Sequence, residues 1–102
     1  MKPLKLTYQN FNKEIAEDNK TVLVDFYADW CGPCKMLSPV IEKLAEDMPD
    51  IKVGKINVDE ENELAEAFGV SNIPTVIVFK NGKLYKKAIG YQSKEKLISL
   101  ID

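Results

Sequence analysis

At 102 residues the chain is long enough for one packed core without staples, and the expected organisation is a single domain over residues 1–102. Its 14 Lys and Arg against 16 Asp and Glu leave a net charge of −2, which removes the electrostatic case for binding nucleic acid or an anionic membrane surface. No run approaches the roughly 20 apolar residues of a membrane span. Met1 to Tyr8 hold no long apolar segment or small-residue cleavage site, so the expected location is the reducing cytosol, that is, cytoplasmic.

Leu4 to Thr7 is predicted as a brief edge strand, with Pro3 before it, where a missing N–H is tolerated. Thr7 or Asn10 can cap a short helix in which Phe11 and Ile15 share a face. Val22 to Ala28 is nearly all apolar, the pattern of a strand buried on both faces. From Pro33 to Met48 the apolar residues Leu37, Val40, Ile41, Leu44, Ala45 and Met48 recur every three or four positions, as in an amphipathic helix. Pro39 lies inside it and predicts a kink. Ile51 to Val58 reads as another strand. Asp59 is then expected to cap a helix carrying Leu64, Ala67 and Phe68, stopped by Gly69. Thr75–Phe79 and Leu84–Ile89 flank Asn81-Gly82, a strong hairpin signal. Ser93 opens a last helix with Leu97, Ile98 and Ile101 on one side. The order β-α-β-α-β-α-β-β-α implies parallel neighbours, one antiparallel hairpin, and a mixed α/β sheet covered by helices on both faces.

The two cysteines stand together in Trp30-Cys31-Gly32-Pro33-Cys34-Lys35, directly after the apolar strand. A strand that delivers Cys-x-x-Cys to the first turn of a helix makes a switchable dithiol. Residues i and i+3 there have Cβ atoms roughly 5–6 Å apart, close enough for side-chain rotation to form a disulfide. The unpaired N–H groups and positive dipole end of that helix favour a thiolate over a thiol. A structural zinc site wants four ligands, and the chain has two Cys and no His. Haem attachment fails because Lys35 stands where a His should follow, and the absence of His removes any Cys–His protease pair. A structural staple closing so short a loop removes little entropy from the unfolded chain. The reading is a redox-active disulfide, with Cys31 expected to be the more exposed sulfur.

Asp25 sits inside the apolar strand, where a carboxylate is costly unless paired or neutralised. One reading has it facing water or capping a turn. The other places it beneath the cysteine helix with a raised pKa, as proton acceptor for the inner thiol. Lys52 and Lys55 fall on opposite faces of their strand by parity; Lys55 either meets Asp25 across neighbouring strands or snorkels to solvent. Trp30 and Tyr27 read equally as core aromatics or, for Trp30, as a flat shield over the dithiol. Gly32 permits close backbone approach, and Pro33 presets the first helical turn.

Asp25 to Lys35, Lys55, Ile73-Pro74-Thr75, Asn81-Gly82 and Gly90 together resemble the thioredoxin family over essentially the whole chain. The resemblance implies a thioredoxin fold, a five-stranded mixed sheet flanked by four helices, with a cis peptide before Pro74 facing the disulfide. It implies Cys31 as attacking thiolate, Cys34 as resolving thiol, and Asp25 with Lys55 as buried proton handlers. Trp30, Gly32, Pro33, Ile73, Pro74 and Gly90 would receive the substrate chain. One departure is Tyr27, where many relatives carry Trp. The expected activity is reduction of disulfides in other proteins by a monomer with no bound cofactor or metal, regenerated by a thioredoxin reductase of the flavin and NADPH type. The alternatives are a thiol oxidant or isomerase, disfavoured because Gly-Pro between the cysteines is similar to the reducing members, and a binding or accessory subunit that does not use the thiols.

Overall fold

The computed structural model describes residues 2–16 and 20–102. The elements in chain order are β1 (Leu4–Lys5), α1 (Phe11–Ala16), β2 (Val22–Tyr27), α2 (Gly32–Asp47), β3 (Lys52–Asn57), α3 (Asn62–Ala67), β4 (Thr75–Lys80), β5 (Lys83–Ile89) and α4 (Lys94–Ile101). The sheet order is β1-β3-β2-β4-β5. β1, β3 and β2 run parallel, while β4 is antiparallel to β2 and β5 to β4. This is the expected mixed sheet, with β2 at its centre and both β2 and its neighbour β4 buried on both faces.

Alternation along the strands sorts the core into two layers. Leu23, Val53, Val76 and Val78 pack with Leu37, Ile41, Leu44 and Ala45 of α2 and Leu97, Leu100 and Ile101 of α4. Val22, Val24, Phe26, Ile56, Ile77 and Phe79 point the other way, onto Phe11 and Ile15 of α1 and Leu64 of α3. Phe68 joins that second layer, its ring centroid 5.2 Å from Phe11 and 5.4 Å from Phe79 in tilted and edge-on contacts. The first layer faces α2, so Asp25, two residues after Leu23, is turned under the cysteine-bearing helix. Lys55, two residues after Val53, shares that side.

The same parity sends Lys52 to the opposite face. Its ammonium donates to Glu14 Oε1 at 2.7 Å and to the Glu14 carbonyl at 3.0 Å, and the Lys52 hydrogen bond holds the Glu14 carboxyl below its usual range. The hairpin turn has Asn81 at φ 55° and Gly82 at φ 77°, the two positive values that a two-residue I′ turn requires. At Gly54, a Cβ would stand 2.5 Å from Leu6 Cδ1, so the buried Leu6 side chain occupies the space that a larger residue would need.

Several local expectations shift. β1 is two residues long: Leu4 and Lys5 lie in register with Gly54 and Lys55 of β3, and Leu6 adds a last backbone hydrogen bond, its N–H to the Lys55 carbonyl at 2.9 Å. α2 begins at Gly32 and continues through Pro39 to Asp47. Asp59 does not cap α3: the N-cap is Glu61, with no side-chain hydrogen bond. Within α3 the buried residues are Leu64 and Ala65, and Ala67 is exposed. In α4 Leu100 replaces Ile98 on the buried side, because Leu97, Leu100 and Ile101 follow the three-and-four spacing of one helical stripe. Ser93 caps α4 as expected, its hydroxyl accepting the Lys96 N–H at 3.2 Å.

Candidate active site

β2 ends at Tyr27 in the sheet centre, and four residues further on Cys31 becomes the N-cap of α2. Its backbone is extended, at φ −89° and ψ 115°, and its Sγ accepts the Cys34 N–H at 3.2 Å. Sulfur thus takes the place of the usual capping oxygen, where free N–H groups and the helix dipole favour negative charge. Pro33 lies in the first helical turn, where its missing N–H leaves no bond unmade. Cys31 and Cys34 are joined in a disulfide, their Cα atoms 5.2 Å apart.

The expected contrast in exposure is absent in this oxidised form. Cys31 is 4% and Cys34 3% accessible, so what distinguishes them is the cap position of Cys31 and not its exposure. Ala28, Val58, Ile73 and Tyr27 pack around the pair.

The loop before β4 closes the site from the other side. The Ile73–Pro74 peptide is cis, and the Ile73 carbonyl lies 3.8 Å from Cys31 Sγ. Gly90, at φ 93°, donates its N–H to the Pro74 carbonyl at 2.7 Å, which ties the end of β5 to that loop. Ile73, Pro74 and Gly90, distant in sequence from the cysteines, are therefore gathered beside them. Gly32 and Pro33 are exposed at the tip of α2. Trp30 is 70% exposed, which removes the core reading, and its indole N–H donates to Asp59 Oδ2 at 2.9 Å. Asp59, expected as a helix cap, instead anchors this ring.

Asp25 is fully buried, and neither carboxyl oxygen has a hydrogen-bond partner. Its solvated reading is excluded. Burial pushes its pKa up from 3.8 to about 7, against the opposing pull of the Lys55 charge. Asp25 pairs with Lys55 in the β2–β3 register and with Val76 in the β2–β4 register. Of the two readings of Lys55, direct contact with Asp25 is not the one formed. The Lys55 ammonium donates to Ser38 Oγ at 3.0 Å and lies 4.5 Å from the centroid of the Tyr27 ring. Burial, with the charges of Asp29 and Glu60, raises the Tyr27 pKa.

A cleft of about 170 Å³ opens here, lined by Tyr27, Ala28, Asp29, Cys34, Lys35, Ser38 and Lys55. Ser38 was not singled out in the sequence, and Asp59 was read there only as a helix cap. Ser38 had a signal, since it follows Cys34 by four residues and so shares its face of α2. Asp59 had none, because its contact with Trp30 spans two loops. Among the described residues, no group of three or more Cys, His, Asp or Glu is placed to hold a metal ion.

A Cys-x-x-Cys disulfide at a helix N-terminus, over a buried carboxyl, defines a dithiol–disulfide oxidoreductase. The family model for thioredoxin matches residues 2–102. The chain is 53% identical over 93 residues to the thioredoxin of Alicyclobacillus acidocaldarius, covering 90% of this chain and 88% of that one. It is 46% identical over 97 residues to the thioredoxin of Chlamydia pneumoniae, covering 95% and 93%. A mutant thioredoxin from Halobacterium salinarum superposes with a TM-score of 0.90 at 46% identity, covering 98% of this chain and 88% of that one. The chain belongs to the thioredoxin family. It is a protein-disulfide reductase whose redox-active group is the Cys31–Cys34 pair, with disulfide-containing proteins as substrates and a thioredoxin reductase as partner.

Proposed function

We propose that Cys31 is the attacking thiolate and Cys34 the resolving thiol. Cys31 Sγ attacks one sulfur of a target disulfide, forms a mixed disulfide, and expels the other target sulfur as a thiolate. Cys34 then gives its proton to Asp25 and attacks Cys31 Sγ. The second target thiolate leaves, and the Cys31–Cys34 bond closes. Two electrons pass to the target, whose two thiolates end as a dithiol by taking one proton from Asp25 and one from solvent. The observation that carries this reading is Cys31 at the N-cap of α2, its sulfur already accepting the Cys34 N–H. Asp25, pushed up to about 7, suits the proton transfer because an acceptor works best with a pKa near the operating pH.

Trp30, Gly32, Pro33, Ile73, Pro74 and Gly90 form the surface that receives the target chain. The carrier works as a single-domain cytoplasmic monomer with no bound cofactor, regenerated by a flavin- and NADPH-dependent reductase. No helix among the described residues is long and apolar enough to cross a membrane. The test is trapping: Cys34→Ser should capture target proteins as mixed disulfides on Cys31, released by dithiothreitol. Capture by Cys31→Ser and not by Cys34→Ser would reverse the roles.

A further inference from the structure

We propose that Ser38 is a positioning residue: its hydroxyl holds the Lys55 ammonium away from the Asp25 carboxyl, keeping that carboxyl free to exchange a proton. The inference rests on the reading of Asp25 as proton acceptor for Cys34.

Asp25 and Lys55 are register partners on adjacent parallel strands and share the face turned to α2. Neighbouring strands lie about 4.8 Å apart, well within the reach of a lysine stem. A buried carboxyl without partners beside a mobile ammonium would ordinarily draw it into an ion pair, since each charge relieves the burial of the other. Here Asp25 has no hydrogen-bond partner, and the ammonium is engaged by the Ser38 hydroxyl at 3.0 Å and the Tyr27 ring at 4.5 Å. The lysine has two competing destinations, and Ser38 supplies the hydrogen bond that decides between them.

Serine inside a helix commonly bonds back to its own helix. Ser99 does so in α4, donating to the Lys96 carbonyl at 2.7 Å. Ser38 instead accepts from a side chain on β3. Its position four residues after Cys34 places it on the face of α2 that borders the cleft. The other titratable or charged side chains lining this cleft are Tyr27, Asp29 and Lys35, with Cys34 in the disulfide. β4 presents apolar Val76 opposite Asp25, and the one charge that acts on Asp25 is that of Lys55. The position of a single ammonium therefore governs the carboxyl. Paired with Lys55, Asp25 would be held ionised and could not take a proton near neutral pH.

The test follows Asp25 itself by carbon-detected NMR of its carboxyl group in the oxidised protein, where no thiol titrates. Ser38→Ala should lower the Asp25 midpoint by about one pH unit, the lower end of what an opposite charge at close range produces. Ser38→Thr, which keeps the hydroxyl, should restore the wild-type midpoint. Lys55→Met should raise the midpoint, and adding Ser38→Ala to it should change nothing further. An unchanged or raised midpoint in Ser38→Ala, or an equal fall without Lys55, would overturn the proposal. Single-turnover reduction of a disulfide substrate across pH separates the two readings. If the NMR midpoint falls and the rate profile moves with it, both stand. If the midpoint falls and the rate profile stays, Ser38 positions Lys55 but Asp25 is not the proton acceptor.

Discussion

Asp25→Ala should make the oxidised protein more stable at alkaline pH and less stable in acid. The native carboxyl keeps its proton to about pH 7, whereas its ordinary value is 3.8. Below about pH 4 both states hold the proton, and Asp25 carries no charge burden. Between there and pH 7 the unfolded chain releases the proton and the native state does not, so stability falls with rising pH by about 1.4 kcal/mol per pH unit, then levels off. Across that window the loss is about 4 kcal/mol. Truncation to Ala removes it but leaves a carboxyl-sized cavity, worth about 1 kcal/mol. The variant should therefore be about 1 kcal/mol less stable than wild type at pH 4 and about 3 kcal/mol more stable at pH 8, the profiles crossing between. Urea unfolding of both proteins at half-unit steps from pH 4 to 9 measures the difference directly. Ion pairs away from Asp25, such as Lys52–Glu14 and Lys94–Asp47, are common to both proteins and cancel. A stability difference that does not vary with pH would refute the reasoning.

Three further outcomes are expected. Limiting iodoacetamide added to the reduced protein near neutral pH should alkylate Cys31, the capping sulfur, in preference to Cys34; peptide mass mapping that finds the adduct chiefly on Cys34 would contradict the assignment. Gly54→Ala should cost about 1–3 kcal/mol in urea, because its Cβ would press on the fully buried Leu6 side chain; wild-type stability would mean that the Leu6 side chain yields without loss of packing. Gly82→Ala should cost about 1–2 kcal/mol in the same assay, since alanine resists the φ of 77° that the hairpin turn imposes.

What could be read from the sequence was what local chemistry determines. Asn81-Gly82 specified its turn, the two-sided apolar run specified the central strand, and strand parity separated Lys52 from Lys55. Asp25 announced itself as a carboxylate where none belongs. Helix phase was harder. α3 is six residues long, less than two turns, and so short a segment does not distinguish Ala65 from Ala67. In α4, Leu97-Ile98-Ser99-Leu100-Ile101 offers two adjacent apolar stripes, and only packing against β2–β4 and α2 selects the one containing Leu100. The destination of Lys55 was undecided for a related reason. Its stem reaches either Asp25 or Ser38, and the choice rests on a hydroxyl and an aromatic face presented by other elements.

Trp30 is the chain's only tryptophan, adjacent to Cys31 in sequence and held in place by Asp59. With four tyrosines as the other fluorophores, long-wavelength excitation selects one indole at the seat of the chemistry. That ring is 70% exposed, so a partner that covers it would change an emission undiluted by a second indole elsewhere in the chain.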